Sequence, residues 1–164
     1  MRSKFINGAL LVAALLVAGY LYNKYRIAPV LNFKEIQLTN IDGEKVLLGS
    51  YESRTLVVCF FATWCGPCMK EIPSLEKAQN LLNDNDVTIL LISDESEATL
   101  NSFWQNHSKG LPVLRSVQKL KELKIATIPT TYVLNEKREV VYNKVGETDW
   151  ASPDMIKKLK ELSR

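Results

Sequence analysis

The feature that most constrains the fold is a pair of cysteines, three residues apart, at the junction between an apolar run and an amphipathic segment. Residues 55–61 read TLVVCFF, a continuous apolar run that is typical of a strand buried on both faces. The motif WCGPC follows at residues 64–68, and apolar residues then recur at helical spacing over Met69–Asn83. A buried strand that leads directly into a helix predicts an α/β layered domain.

The remaining segments agree with that class. Residues 33–38 and 45–48 are apolar and lie on either side of an Asp-Gly pair, which predicts a β-hairpin. We expect further strands at 87–92, 131–134 and 140–145, a short apolar segment at 111–114, and helices at 96–104, 117–123 and 155–162. In this order the elements predict a central mixed β-sheet flanked by helices, in one domain over residues 33–164.

The N-terminal segment is strongly apolar. Residues 5–22 read FINGALLVAALLVAGYLY, an uncharged run at the short end of what spans a lipid bilayer as a helix. We expect residues 1–26 to form a single-pass transmembrane anchor and 27–32 to form a linker. A cleaved signal peptide is the alternative, because Val17-Ala18-Gly19 is a passable small-residue cleavage site. Flanking charges weakly favour a cytoplasmic N-terminus, which would place the domain on the periplasmic side of the cytoplasmic membrane.

The charge distribution argues against nucleic acid as a partner. Four of the 21 Lys and Arg residues lie in residues 1–26, where there is no acid. The rest of the chain therefore carries 17 basic and 18 acidic groups, without the basic excess that nucleic-acid binding requires. Three cysteines are also too few for a scaffold held together by disulfides, which indicates redox chemistry for the closely spaced pair.

The two motif cysteines have the spacing and the position of a redox pair. At positions i and i+3 on the first turn of a helix, Cys65 and Cys68 can close a small disulfide ring. Unpaired N–H groups and the partial positive charge at a helix N-terminus favour a thiolate over a thiol. We expect Cys65 to be exposed and to attack a partner disulfide, and Cys68 to be covered and to resolve the mixed disulfide. Gly66 and Pro67 suit the first turn, where the N–H that proline lacks has no partner.

WCGPC at the end of a hydrophobic strand resembles the active-site motif of the thioredoxin superfamily, and other positions agree. Pro73 matches the family's helix-kinking proline, Ile128-Pro129-Thr130 matches its cis-proline loop, and Gly146 matches a glycine beside the active site. Within the superfamily, the N-terminal apolar segment and the stretch FFATWCGPCMKEIPSLEKA resemble the membrane-anchored TlpA/ResA/DsbE-like thiol–disulfide oxidoreductases.

This resemblance implies an extracytoplasmic enzyme that reduces protein disulfides by exchange at Cys65 and Cys68. A membrane electron donor would recharge the pair, and cytochrome c maturation is one process that it could serve. The partners would be protein disulfides or dithiols, and no cofactor is expected. From its position next to Cys65, we also expect Trp64 to shape the surface that contacts partners, with a packing role as the alternative. Pro129 would be cis, and Ile128 would offer its backbone to a bound substrate strand.

One position departs from the superfamily pattern. Thioredoxins place a buried Asp, which is assigned proton transfer, six residues before the first motif cysteine, where this chain has Cys59. A lone cysteine in an apolar strand is most often a small buried hydrophobe, with a second redox centre as the alternative. Glu71 matches an acid of the TlpA/ResA type and lies one helical turn from Cys68, close enough to tune a thiol. A surface position on the helix is the other interpretation of Glu71.

Three other functions fit the residues less well. Zinc needs about four ligands, and only Cys59 and His107 (which we place in a solvated loop) remain beside the pair, so we expect no metal. A peroxiredoxin-type peroxidase requires Thr and Pro before its cysteine, where this chain has Ala62 and Val58. A redox-silent chaperone or adaptor that keeps the fold is the remaining alternative, and the intact cysteine pair argues against it.

Overall fold

A mixed β-sheet forms the centre of the domain. The computed structural model describes residues 10–21, 27–82, 86–107 and 110–163, and within these ranges seven strands form one sheet in the order β2-β1-β5-β4-β3-β6-β7. The strands are β1 (Leu38–Thr39), β2 (Lys45–Val46), β3 (Thr55–Phe60), β4 (Val87–Ser93), β5 (Val113–Ser116), β6 (Thr130–Leu134) and β7 (Val140–Val145). Strands β3, β4 and β5 are parallel, whereas β6, β7 and the β1–β2 hairpin pair in antiparallel fashion. The predicted α/β class with a central mixed sheet is confirmed.

The described ranges also contain one short 3-10 helix (Leu48–Ser50) and four α-helices: α1 (residues 10–21), α2 (Gly66–Leu81), α3 (Glu97–His107) and α4 (Pro153–Leu162). Local signals explain where two of them begin. The Ser96 hydroxyl accepts the N–H of Thr99 at 3.2 Å, which satisfies a free donor at the start of α3. Pro153 follows the N-cap Ser152 at the start of α4, where a proline sacrifices no helical hydrogen bond.

Strand β3 divides the core into two layers. All six of its residues are buried, and successive side chains point to opposite faces of the sheet. Val57 and Cys59 pack in the layer covered by α2, α3 and α4, together with both motif cysteines. Val58 and Phe60 pack in the other layer, against the N-terminal part of the domain. Cys59 therefore lies on the same side of the sheet as the redox pair.

Three predicted elements differ from the structure. The strand expected at 33–38 is reduced to Leu38–Thr39, because the Asn32 side chain accepts the N–H of Lys34 and the Asn32 carbonyl accepts the N–H of Glu35, which forms a turn. The helix expected at 117–123 is a series of turns, in which the Asp94 carboxylate accepts the N–H of Leu120 and the Glu122 carboxylate accepts the N–H of Lys119. The apolar segment expected at 111–114 contributes to β5, which pairs with β4 and with the hairpin.

The predicted membrane span lies partly outside the described residues, which include 10–21 but not 5–9 or 22. Within the described ranges, no helix is both long enough and apolar enough to cross a bilayer. The predicted linker has contacts with the domain: Ala28 is buried, and the Tyr132 hydroxyl donates a hydrogen bond to the carbonyl of Pro29 at 2.8 Å.

Candidate active site

The cysteine pair forms a disulfide at the N-terminus of α2. Cys65 is the N-cap residue, Gly66 and Pro67 begin the helix, and the Sγ–Sγ bond joins Cys65 to Cys68. The N–H of Cys68 donates to the Sγ of Cys65 at 3.3 Å. Because this N–H belongs to the unpaired group at the helix start, it would stabilise negative charge on Cys65 after reduction.

The exposure of Cys68 agrees with expectation, whereas that of Cys65 does not. Cys68 is 1% exposed and therefore covered, as predicted. Cys65, which was expected to be exposed, is only 5% exposed in this oxidised form. The ring turns its Sγ toward Cys68, and the carbonyl oxygen of Ile128 lies 3.7 Å from it. The neighbouring Trp64 is 76% exposed, so the accessible surface next to the disulfide is largely aromatic.

The predicted cis-proline loop lies against the disulfide. The Ile128–Pro129 peptide bond is cis, at the start of β6. The N–H of Gly146 donates to the carbonyl of Pro129 at 2.8 Å, and the φ of Gly146 is +87°, a conformation that favours glycine. A surface cavity of about 420 Å³ opens beside this loop, lined by Pro67, Thr127, Ile128, Pro129, Lys144, Val145, Gly146 and Glu147. The loop and the first turn of α2 therefore form two walls of one groove.

Glu71 is buried, so the surface interpretation is wrong. It is 2% exposed, and its Oε1 accepts a hydrogen bond from the indole Nε1–H of Trp150. Among the described residues, no group hydrogen-bonds to its Oε2. Burial raises the pKa of Glu71 to about 7, although the Trp150 hydrogen bond opposes the rise, and the negative charge of Glu147 adds to it. A carboxyl group with this pKa exchanges its proton near neutral pH.

Cys59 is a buried free thiol on the same side of the sheet. Burial raises its pKa, and the negative charge of Glu71 raises it further. The register of β3 and β6 places Thr131 opposite Cys59. Since a thiol with a raised pKa is a poor nucleophile and this one is enclosed, the structure favours core packing for Cys59 over a second redox centre.

Sequence reasoning missed two residues that support this site. The carboxylate of Glu95 accepts the N–H and the hydroxyl of Thr63, both at 2.7 Å, and so holds the residue before Trp64. Glu95 follows β4, and the carboxyl ends of neighbouring parallel strands meet at one sheet edge, which is the signal that could have identified it. Trp150 contacts Glu71 across 79 positions, and no local pattern indicates that contact.

A second cavity, of about 570 Å³, lies between α2 and α3. It is lined by Thr63, Met69, Ile72, Pro73, Thr99, Ser102, Phe103 and His107. His107 was expected in a loop, but it is the last residue of α3, where its ring stacks on Phe103 with centroids 5.6 Å apart. In the described ranges, no three His, Cys, Asp or Glu side chains are grouped as metal ligands would be.

Comparison with known proteins agrees with this geometry. The Redoxin family model matches residues 28–160. Thioredoxin-like protein YneN of Bacillus subtilis is 27% identical over 147 residues, which cover 84% of this chain and 86% of that protein. Thiol-disulfide oxidoreductase ResA of the same organism is 25% identical over 149 residues, which cover 85% and 83% of the two chains.

A solved structure has the same fold. The crystal structure of StoA from Bacillus subtilis aligns with a TM-score of 0.61 and 24% identity, over 83% of this chain and all of that one. The chain belongs to the Redoxin family, has a thioredoxin-like fold, and is a thiol–disulfide oxidoreductase homologous to ResA.

Proposed function

We propose that this protein reduces disulfides of other proteins outside the cytoplasm, with Cys65 as the attacking thiol and Cys68 as the resolving thiol. The observation that carries the proposal is the position of the Cys65–Cys68 pair, at the N-terminus of α2 and against the Pro129 loop. The helix start stabilises a thiolate, and the loop offers main-chain groups to a substrate in the same place.

The exchange has two steps. The Cys65 thiolate attacks one sulfur of a substrate disulfide and forms a mixed disulfide, and the other substrate sulfur leaves as a thiolate that takes up a proton. The Cys68 thiol then loses its proton and attacks the Cys65 Sγ, which expels the second substrate thiolate. The substrate gains two electrons and two protons, and the protein is left with the Cys65–Cys68 disulfide. A second dithiol, which we propose is a membrane electron donor, reverses these steps and restores the reduced pair.

The order of the two thiols follows from their positions. The Sγ of Cys65 accepts a hydrogen bond from the backbone N–H of Cys68, and Cys65 follows the exposed Trp64 in the chain. Both cysteines are buried in the oxidised form, but Cys65 is the N-cap residue and Cys68 lies inside the helix, so a bulky substrate disulfide reaches Cys65 first. Trp64 supplies an apolar contact surface for the substrate, and the backbone of Ile128 pairs with an extended segment of it.

We assign the proton transfer to Glu71. Cys68 must lose a proton while it is enclosed, and Glu71 lies one helical turn away, buried on the same side of the sheet. With its pKa raised to about 7 by burial, Glu71 can accept this proton near neutral pH and return it when the pair is reduced again.

We also propose that residues 5–22 anchor the protein in the cytoplasmic membrane, with the domain on the periplasmic side. The run carries no charge, and the described part of it, residues 10–21, is a helix with exposed Leu and Val side chains. On the resemblance to the TlpA/ResA/DsbE type, cytochrome c maturation is the process that we propose it serves. Fractionation and N-terminal sequencing test the anchor: a soluble protein that begins near Tyr20 would indicate a cleaved signal peptide instead.

Trapping tests the enzymatic proposal. The full-length Cys68→Ser variant, expressed in cells, should accumulate mixed disulfides through Cys65, because the resolving thiol is absent, and mass spectrometry identifies the partners. Cys65→Ser is the matched control and should accumulate none. The wild-type protein should also accelerate the reduction of insulin disulfides by a dithiol. Failure of both assays would favour the redox-silent chaperone or adaptor.

A further inference from the structure

A buried contact links Glu71 to a residue that the exchange reaction does not otherwise require. Trp150 is fully buried, and its Nε1–H donates to Oε1 of Glu71. The backbone N–H of Trp150 donates to the hydroxyl of Ser74 at 3.2 Å, and that hydroxyl lies 2.8 Å from the carbonyl oxygen of Glu71. The indole ring and the backbone of Trp150 therefore both hydrogen-bond to α2, the ring at Glu71 and the backbone at Ser74.

The same segment reaches the substrate groove. Gly146 donates its N–H to the carbonyl of Pro129, and the carbonyl of Thr148 lies 3.3 Å from the Ser74 hydroxyl. Residues 146–150 therefore run from the cis-proline loop to the buried carboxyl group, with a hydrogen bond at each end. The position of Trp150 is set by this segment and by α2 together.

We infer that Trp150 is a positioning residue for Glu71: its indole N–H holds Oε1, so that Oε2 is the oxygen that accepts and returns the active-site proton. This inference rests on the proton-transfer role proposed for Glu71. The geometry supports this inference. In the described structure, Oε1 of Glu71 accepts a hydrogen bond, whereas no group hydrogen-bonds to Oε2. A hydrogen bond to one oxygen fixes the rotation of the group and leaves the other oxygen available.

The titratable groups near Glu71 determine how a pH titration of its carboxyl group is interpreted. Glu147, after β7, and Cys59, on β3, interact with it electrostatically, and the motif cysteines lie on its own helix. In the oxidised protein the motif cysteines do not titrate, and the raised pKa keeps Cys59 protonated. A carboxyl titration of the oxidised form therefore reports Glu71 itself, under the influence of Glu147.

The test is a titration of the Glu71 side-chain carboxyl carbon by NMR, in the oxidised full-length protein, with Glu71→Gln to assign the resonance. Trp150→Phe keeps an aromatic ring in the core, although a smaller one, and removes the N–H that stabilises the carboxylate. Its midpoint should rise by about one to two pH units, because the lost hydrogen bond favours the ionised form of the carboxyl group. Trp104→Phe, which changes an aromatic residue packed on the same core layer from α3, should leave the midpoint unchanged. An unchanged midpoint in Trp150→Phe overturns the inference.

A second measurement does not require a folded variant. In the wild-type protein, the indole N–H resonance of Trp150 should titrate with the same midpoint as the Glu71 carboxyl carbon, and a resonance that does not respond to pH overturns the inference. The proton-transfer role is tested separately by activity. If Glu71→Gln leaves the pH profile of insulin reduction unchanged, that role fails, whatever the NMR titrations show. If Glu71→Gln changes the profile and Trp150→Phe does not move it to higher pH, the positioning inference alone fails.

Discussion

Replacing Glu71 by glutamine should remove a pH dependence from the stability of the oxidised protein. In the unfolded chain a glutamate loses its proton near its ordinary pKa of 4.5, whereas burial raises the pKa in the folded protein to about 7. Between these two values the folded state binds a proton that the unfolded state has lost. The free energy of unfolding therefore falls as the pH rises. The stabilisation is complete below pH 4.5 and is lost as the pH passes 7.

The size of this effect follows from the two pKa values. They differ by about 2.5 pH units, and each unit corresponds to about 1.4 kcal/mol, so about 3 kcal/mol of stability is lost between the two limits. Glutamine has nearly the same shape, keeps an acceptor for the Trp150 N–H, and does not titrate. The amide changes the free energy of unfolding only by an amount that does not vary with pH. The buried carboxyl group is therefore identified by the change of this free energy with pH and not by its absolute value.

Urea unfolding of the oxidised protein at pH 4 and at pH 8 measures the effect. The difference in unfolding free energy between Glu71→Gln and the wild type should shift by about 3 kcal/mol in favour of the variant between these two pH values. Glu76→Gln is the matched control, because it makes the same change on α2 at a position that is not fully buried. Parallel pH dependences in Glu71→Gln and the wild type would refute the reasoning.

Three further predictions concern the cysteines and the cis-proline loop. Limiting iodoacetamide near neutral pH should label Cys65 in the reduced protein before Cys68, and preferential labelling of Cys68, mapped by mass spectrometry, would reverse their roles. Pro129→Ala should slow insulin reduction and prolong the mixed disulfides detected on non-reducing gels, so unchanged kinetics would remove the loop from substrate binding. Cys59→Ser should lower the free energy of unfolding by about 1–3 kcal/mol, because it buries a hydroxyl, but should leave the thiolate absorbance titration of the active site almost unchanged. A large change in that titration would instead make Cys59 part of the redox site.

Among the described residues, the acid that is buried, Glu71, is on a helix and not on the central strand. Thioredoxins have an acid at the position of Cys59, and here Glu71 of α2 is buried on the same side of the sheet. The electrostatic interaction of Cys59 with Glu71 raises the pKa of the thiol, which disfavours a second charge in the same enclosed region. Cys59 is therefore a protonated thiol, and Glu71 is the buried acid that the described residues place on this face of the sheet.

Local patterns were sufficient for the elements that carry the redox pair. The apolar run, the helical spacing after it and the motif between them depend on neighbouring residues, and the structure has a strand at Thr55–Phe60 and a helix at Gly66–Leu81 that begins within the motif. The β1–β2 hairpin followed from its Asp-Gly turn, where Gly43 has a φ of +85°. The family resemblance supplied the cis bond at Pro129, which spacing and composition do not indicate.

Contacts between distant parts of the chain were decided only by the tertiary structure. Glu71 accepts a hydrogen bond from Trp150, Thr63 is held by Glu95, and Cys65 lies beside the carbonyl of Ile128. Each contact joins residues that no helical or strand period relates. Periodicity shows which face of an element is apolar, but it does not show which residues from other elements meet that face. For this reason the sequence alone determined the class of fold and the redox pair, whereas the environment that sets the proton affinity of Glu71 arises only when the sheet and helices pack together.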